Sequence, residues 1–539
     1  MLSRSLFRSL ALLPWILLGI GCSDDKSGDG ASLGGDETGA TSEDPTSGGS
    51  TGAAFTPIPA RGGILINRVE ANSGVAVAIG RDGAWVDGSG RNAYLPARRD
   101  TLIRAYVDVP DDWVGRELEG RLHLTGGGVD KELSMKTTIS ADSRDADIAS
   151  TFYWGVEAAD VQPGLKYSVT LWEAAPGQED APEGEVPPVS PLAGPAFVGI
   201  EADPAKMRVV LVPIDYSFGD CNAVIDGAKW GPIFEQALLQ QNPIEGLELT
   251  VHAPYKISWD MTTFNGLSNL VSEMSQLRAA ENAPPNVYYY GFFDNCGACI
   301  GSDGGINSGC TVGLAADITG SAQSDGWGRA AAGQLKAKPE ETFVHEIGHT
   351  QGRRHIECPG GNAAGVDPSY PYPGGQINVW GFGIRDYRLR HPKTNVDYMT
   401  YCGPNWVSDW QWNATYQRIK TLTSWDAADA TPPEGGLLIG AIDAGQQRWW
   451  TVPGTLGDDE PRSATHAVDF VFADGTAPVA AKVSRRSEGD TINVVAPLPA
   501  DFDARALQSL VLHAPEGDSV IEPDAVRLLH RPERLEAAN

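Results

Sequence analysis

From Gly63 to about Ile200, apolar and polar positions alternate in short runs broken by Gly, Asp and Pro, as in Gly63-Ile64-Leu65-Ile66-Asn67 and Leu102-Ile103-Arg104-Ala105-Tyr106-Val107. A period of two between turn formers predicts half-buried strands, and a series of them predicts an antiparallel sandwich. A Pro-rich stretch, Pro182 to Pro195, precedes Met207-Arg208-Val209-Val210-Leu211-Val212, which reads as a buried strand. A boundary is therefore placed near residue 203. Beyond it, helical spacing (Trp230 to Gln240, Leu267 to Ala280) alternates with strands such as Val287-Tyr288-Tyr289-Tyr290-Gly291, the pattern of an α/β unit. A further helix is expected over Glu340 to Gln351, with Pro339 suited to a first turn and Glu340 and Glu341 near the positive end of the dipole. After Pro432-Pro433 alternation returns in Leu437 to Ile442, Val468 to Phe472 and Ser509 to His513, a second and smaller β unit. No period of solenoid or propeller length is present.

The first residues break this pattern. Arg4 and Arg8 precede an apolar run from Leu10 to Ile20, too short for a membrane span, and Leu18-Gly19-Ile20-Gly21 leads directly into Cys22. That arrangement resembles a bacterial lipoprotein signal, which implies lipidation of Cys22; ordinary secretion with an incidental cysteine is the alternative. Residues 23 to about 56 are almost wholly Ser, Gly, Asp, Thr, Glu and Ala and read as a flexible tether. The expected organisation is residues 1–21 signal, 22–56 tether, 57–202 β-sandwich-like, 203–430 catalytic and 431–539 C-terminal β-rich.

Charge and cysteine usage agree with export. The formal charge of −29 falls to −31 once the two leader arginines are removed, which argues against nucleic acid as a partner and suits solubility outside the cell. Besides Cys22, six cysteines remain (Cys221, Cys296, Cys299, Cys310, Cys358 and Cys402), enough for three disulfides whose pairing spacing cannot assign. Cys296-x-x-Cys299 by itself is also compatible with a second zinc site or a redox pair.

The chemistry is concentrated in His345-Glu346-Ile347-Gly348-His349-Thr350-Gln351-Gly352-Arg353-Arg354-His355. On a helix, positions i and i+4 share a face, so His345 and His349 can present imidazoles to one ion. Gly352 can take the left-handed conformation that ends the helix and brings His355 back as third ligand. Glu346 is placed to act as general base, and three nitrogens leave a fourth position for water, as in hydrolytic zinc sites. The competing reading is surface histidines on a polar helix.

The extended motif HExxHxxGxxH resembles the signature of the metzincin zinc peptidases, whose members also carry a methionine in a tight turn beneath the metal. Asp397-Tyr398-Met399-Thr400-Tyr401, with Met399 lying 44 residues after His355, is similar to that Met-turn. The resemblance covers about 200 residues, from the strand at Met207 to the helix begun by Ser408-Asp409-Trp410-Gln411-Trp412. It implies Zn2+ as cofactor, Met399 as a hydrophobic floor and Tyr401 as a group near the metal that stabilises an oxyanion, as in the astacin-like and serralysin-like branches. Two features depart from the best-known branches: Ile356 directly after the third histidine, and the long stretch to Met399 containing Tyr370-Pro371-Tyr372-Pro373-Gly374-Gly375. The general likeness is to large bacterial secreted metzincins that attack glycoproteins, including mucin-cleaving ones. Trp406, Trp410 and Trp412 either line a substrate pocket or pack in the core. Arg385, Arg388, Arg390, His391 and Lys393 form either an anion-attracting patch or a solvated loop face. No cysteine-based zinc-blocking peptide precedes the catalytic unit.

Together these readings predict a multidomain α+β protein, a metzincin-like (zincin) α/β catalytic domain between N-terminal and C-terminal β-sandwich-like domains. The expected activity is a monomeric metalloendopeptidase acting on extracellular proteins or glycoproteins, touching a membrane only through an N-terminal lipid anchor at the cell surface or outer membrane, or else secreted. The alternatives are a surface adhesin or glycan binder with a vestigial zinc domain, and a zinc hydrolase of non-peptide amides.

Overall fold

A computed structural model describes residues 55–529 apart from 302–308, 317–319, 321, 337, 427–434, 444–445, 459 and 487. The signal, Cys22, nearly all of the tether and the expected boundary at 431 lie outside the described residues.

Seven longer strands build the first body: β1 (Leu65–Asn72), β2 (Ala76–Arg81), β3 (Thr101–Asp108), β4 (Arg116–Gly126), β5 (Val129–Ile139), β6 (Phe152–Val156) and β7 (Lys166–Glu173). They form two antiparallel sheets, one with the order β2-β1-β3-β6 and the other with β7-β4-β5, each extended at one edge by a two-residue strand. The alternation of the sequence decides which side chains enter: Leu118, Leu122 and Leu124 of β4 are buried, as are Tyr167, Val169 and Leu171 of β7.

The central body is a twisted sheet. β8 (Lys206–Phe218) pairs in parallel with β9 (Gly246–Val251) on one side and with β10 (Val287–Phe293) on the other. β10 is parallel to β12 (Ala330–Gln334), and the edge strand β11 (Gly313–Ala315) runs antiparallel to β12. Helices α1 (Gly227–Gln241), α2 (Phe264–Ala280), α3 (Pro339–Thr350) and α4 (Asp409–Ser424) cover it. Strand parity sorts the core: Tyr288, Tyr290 and Phe292 of β10 join the cluster with Phe234 of α1 and Phe343 of α3. Val287, Tyr289 and Phe293 face Leu267, Leu270 and Met274 of α2. This is why Val287 to Phe293 is apolar at every position instead of alternating.

The last body has two antiparallel sheets. One holds β13 (Gly436–Asp443), β14 (Gln446–Pro453), β17 (Lys482–Arg485) and β18 (Ile492–Pro497) in the order β17-β18-β13-β14. The other holds β15 (Ala467–Phe472), β16 (Gly475–Ala480) and β19 (Leu507–His513) in the order β16-β15-β19. Leu438, Trp449, Val494 and Phe470 fill the space between them. The opposite face of the first sheet, with Leu437, Ile439, Trp450 and Val452, packs on α2. The mixed α and β, multi-sheet architecture is therefore as expected.

The first body is fused to the central one by the tryptophans. Trp412 is fully buried and donates from Nε1 to the Tyr94 carbonyl at 2.9 Å, and Trp406 donates to the Gly74 carbonyl at 2.9 Å. Trp410 stands edge-on to Tyr370 with ring centres 5.3 Å apart. The core alternative holds for Trp406 and Trp412, whereas Trp410 is half-buried against the same cluster. Within the basic cluster Arg390 is ion-paired with Asp386 and lies over the Trp406 ring at 4.6 Å, and Arg385 approaches Asp100 at 3.7 Å, so two of its cations serve this junction.

Three disulfides join Cys221 to Cys296, Cys299 to Cys310 and Cys358 to Cys402. Cys296 and Cys299 belong to different bridges, which removes the CxxC zinc and redox readings. Such cross-links belong to an oxidising compartment. No helix among the described residues is long and apolar enough to cross a membrane.

Candidate metal centre

Helix α3 starts at Pro339, one residue before the predicted start, and its inner face of Phe343, Val344 and Ile347 is buried. It ends as Gly352 predicts: φ is +80°, Gly352 N–H donates to the His349 carbonyl and Arg353 N–H donates to the Gly348 carbonyl. This pair of bonds satisfies the last carbonyls and turns the chain back. The turn delivers His355, which bridges to Val366 as a short parallel pair.

Three imidazoles converge there. His349 Nε2 lies 3.2 Å from His345 Nε2 and 3.1 Å from His355 Nε2. Each ring's Nδ1 faces a backbone carbonyl: Tyr398 O for His345 at 2.8 Å, Arg353 O for His349 at 2.7 Å and Ala364 O for His355 at 2.6 Å. A carbonyl cannot donate, so each Nδ1 carries the proton and each Nε2 presents a lone pair. Lone pairs about 3 Å apart repel unless a cation sits among them. The spacing fits the edge of a tetrahedron around zinc, about 3.3 Å for bonds of about 2.0–2.1 Å. The donor set therefore suits a divalent metal, held by rings whose outer nitrogens are already fixed. Burial, then repulsion from the other two rings, lowers His345 to about 3, and burial lowers His349 as well, so both stay neutral and able to ligate in mild acid.

The fourth position differs from expectation. Sequence reading leaves it to water, but Glu488, from the hairpin between β17 and β18, reaches it: its Oε1 is 3.0 Å from His355 Nε2 and 3.6 Å from His349 Nε2. Three histidines and this glutamate, with ligand atoms all within 4.8 Å of one another, form a group able to hold a metal ion. Burial opposes the charge on Glu488, but the adjoining His349 and His355 rings outweigh it and hold its pKa well below the usual range. His355 is raised by the same carboxylate, against the effect of its own burial. Nothing in the Glu488 sequence context sets it apart among 70 acidic residues, and it lies 133 positions from His355.

Glu346 projects beside the rings, 3% exposed, and its Oε2 has no hydrogen-bond partner among the described residues. Burial first, and then the Glu488 charge, push its pKa well above the ordinary value. Tyr401 is placed with its ring centre 4.8 Å from that of His355, half exposed, and its hydroxyl donates to Glu488 Oε1 at 3.3 Å. Met399 is fully buried under the helix, and its carbonyl accepts from Ile356 N–H at 2.9 Å. Asp397 ties this turn to α4. Its carboxylate accepts from Met399 N–H at 3.0 Å and from the Ser408 amide and hydroxyl at 3.0 and 2.6 Å, and Ser408 caps α4.

No family model matches this sequence, and comparison with curated proteins yields no match. Among solved structures, one titled "Structure of a chaperone-substrate complex" aligns at 12% identity and a TM-score of 0.23, covering 50% of this chain and 40% of that one. The chain thus spans well under half of that structure's length, and a likeness this low carries no argument about fold or function.

Proposed function

We propose that the chain is a zinc-dependent endopeptidase that hydrolyses peptide bonds in extracellular proteins or glycoproteins. The observation that carries this reading is the convergence of three lone-pair-bearing Nε2 atoms beside a buried, hydrogen-bond-deficient carboxylate, Glu346. Zinc bound there would supply Lewis acidity toward a carbonyl and ease the ionisation of water near neutral pH. His345, His349 and His355 would hold it. Glu346 takes a proton from the attacking water and passes it to the leaving amine, a role suited to a carboxylate whose pKa is held up by burial. The Tyr401 hydroxyl, on the rim of the site, donates to the developing oxyanion once it is released from Glu488. Met399 packs against Gly348 and supports the ligands from below. The metzincin-type motif and the antiparallel edge strand β11 beside Glu346 fit the same reading. The disulfides support work in an oxidising environment outside the cytoplasm, and in this reading Cys22 is the lipid anchor.

The test is a digest of a proteome-derived peptide library by the metal-loaded chain and by its Glu346→Gln variant. Both should carry one zinc per chain, and peptides cut by the wild type should survive the variant. Equal cleavage by the two would refute the assignment of Glu346, and a chain that binds glycans but cuts nothing would favour the adhesin.

A further inference from the structure

We infer that the C-terminal body holds the metal centre in a latent state, with Glu488 as a displaceable fourth ligand. This rests on the peptidase reading above. A hydrolytic zinc keeps one position for water or for the substrate carbonyl, whereas a site closed by four protein ligands is inert. The Glu488 carboxylate stands in that position, 3.0 Å from His355 Nε2, and also engages the Tyr401 hydroxyl. One side chain thus covers both the metal position and the residue assigned to the oxyanion.

The placement is built into the hairpin. Arg486, 4% exposed, donates to the Ser268 carbonyl and hydroxyl at 3.1 and 2.8 Å and to the Ser272 hydroxyl at 2.9 Å, all on α2. On the returning side Asn493 donates to the Ala316 carbonyl at 2.9 Å, just past the edge strand β11. Between them Gly489 has φ +75° and lies so close to the Phe264 ring that a β-carbon would collide with it. The carboxylate itself is 14% exposed beside a second acid, Glu346. Two buried carboxylates in one pocket are costly unless a cation lies between them and the imidazoles. The β17–β18 ladder ends at Arg485 and Ile492, so withdrawing Glu488 breaks the Arg486 bonds to α2 but leaves the sheet paired. Activation is then displacement of one loop.

The experiment uses full-length protein loaded with zinc, and separately with cobalt(II), comparing wild type with Glu488→Gln, Glu488→Ala and Arg486→Ala. Expected are metal transfer to a chromophoric chelator faster by roughly tenfold or more, a changed cobalt visible spectrum for the Glu488 variants, and several-fold faster cleavage of the peptide library. Arg486→Ala leaves the carboxylate in place but loosens its anchor, and should move transfer rate and cleavage in the same direction. Unchanged transfer and spectrum would overturn Glu488 as a ligand. Changed transfer and spectrum with no cleavage by any variant would leave the ligand standing but overturn both latency and the peptidase reading.

Discussion

At the scale of single residues, the two carboxylates of the site divide their roles by environment. Glu346 carries no compensating hydrogen bond on Oε2 and is pushed up from its ordinary 4.5 first by burial and then by Glu488, whereas Glu488 is pushed down by the histidines it touches. A general base works only when ionised. The acid limb of kcat/KM should therefore lie above the ordinary carboxylate range, with activity lost as pH falls through it. In Glu488→Gln the second contribution is gone, the Glu346 pKa drops, and the acid limb moves to lower pH. Profiles of kcat/KM against pH for the two proteins measure this, and an unmoved limb would show that the carboxylates do not interact. The convergence of His345, His349 and His355 beside Glu346 is legible in the sequence because a helix repeat and a turn glycine dictate where they go, whereas Met399 and Tyr401 are singled out only by the resemblance to a Met-turn. Glu488 is not legible, because nothing local marks a side chain whose role depends on how two distant bodies dock.

At the scale of elements, helix α3 and the Met-turn act as one unit. The Tyr398 carbonyl fixes His345, the Met399 carbonyl accepts from Ile356 beside His355, Asp397 pins the turn to the α4 cap, and Cys358 is bonded to Cys402 across it. Gly348 is the close point of that contact: a β-carbon there would come 2.5 Å from Met399 Sδ and 2.8 Å from Tyr398 Cε2. Two effects compete in Gly348→Ala. Helix propensity favours alanine by about 0.8–1.0 kcal/mol, and overpacking costs about 1–3 kcal/mol. A thioether can swing aside, but the Tyr398 ring is buried at 1% and cannot. The turn must then shift and carry the His345 partner with it. The expected outcome is a melting temperature lowered by only a few degrees, with zinc affinity weaker by about tenfold or more on the scale of altered ligand support. Chelator competition and thermal melts measure the two separately. An unchanged affinity would show that the turn does not position His345. The predicted helix ends stood within a few residues of the observed ones because Pro339 and Gly352 are strong local signals, whereas β11, three residues long, has too little pattern to be read.

At the scale of the whole molecule, the three bodies share cores instead of meeting across wet interfaces. One apolar cluster runs from Val69 and Leu118 through Phe234 to Trp412 and Tyr416, and a second runs from Met274 to Leu437 and Trp450. The sequence leaves the tryptophans between pocket and core, since an aromatic run at a helix start looks the same in both cases. Their position makes Trp412 the joint of the first and central bodies. It fills the space over Gly74, takes the Arg99 guanidinium over its ring at 5.2 Å and reaches the Tyr94 carbonyl. Truncation there opens a cavity and strands a buried carbonyl, and Trp→Ala changes at buried sites cost about 3–5 kcal/mol. Because the lost contacts bridge two bodies, the effect should reach beyond a lower melting temperature. In Trp412→Ala, calorimetry should resolve unfolding of the first sandwich ahead of the rest, while zinc stoichiometry at the still-folded centre stays at one. A single transition merely shifted downward, or zinc lost in step with the first sandwich, would mean that the metal centre depends on the N-terminal body for more than anchorage.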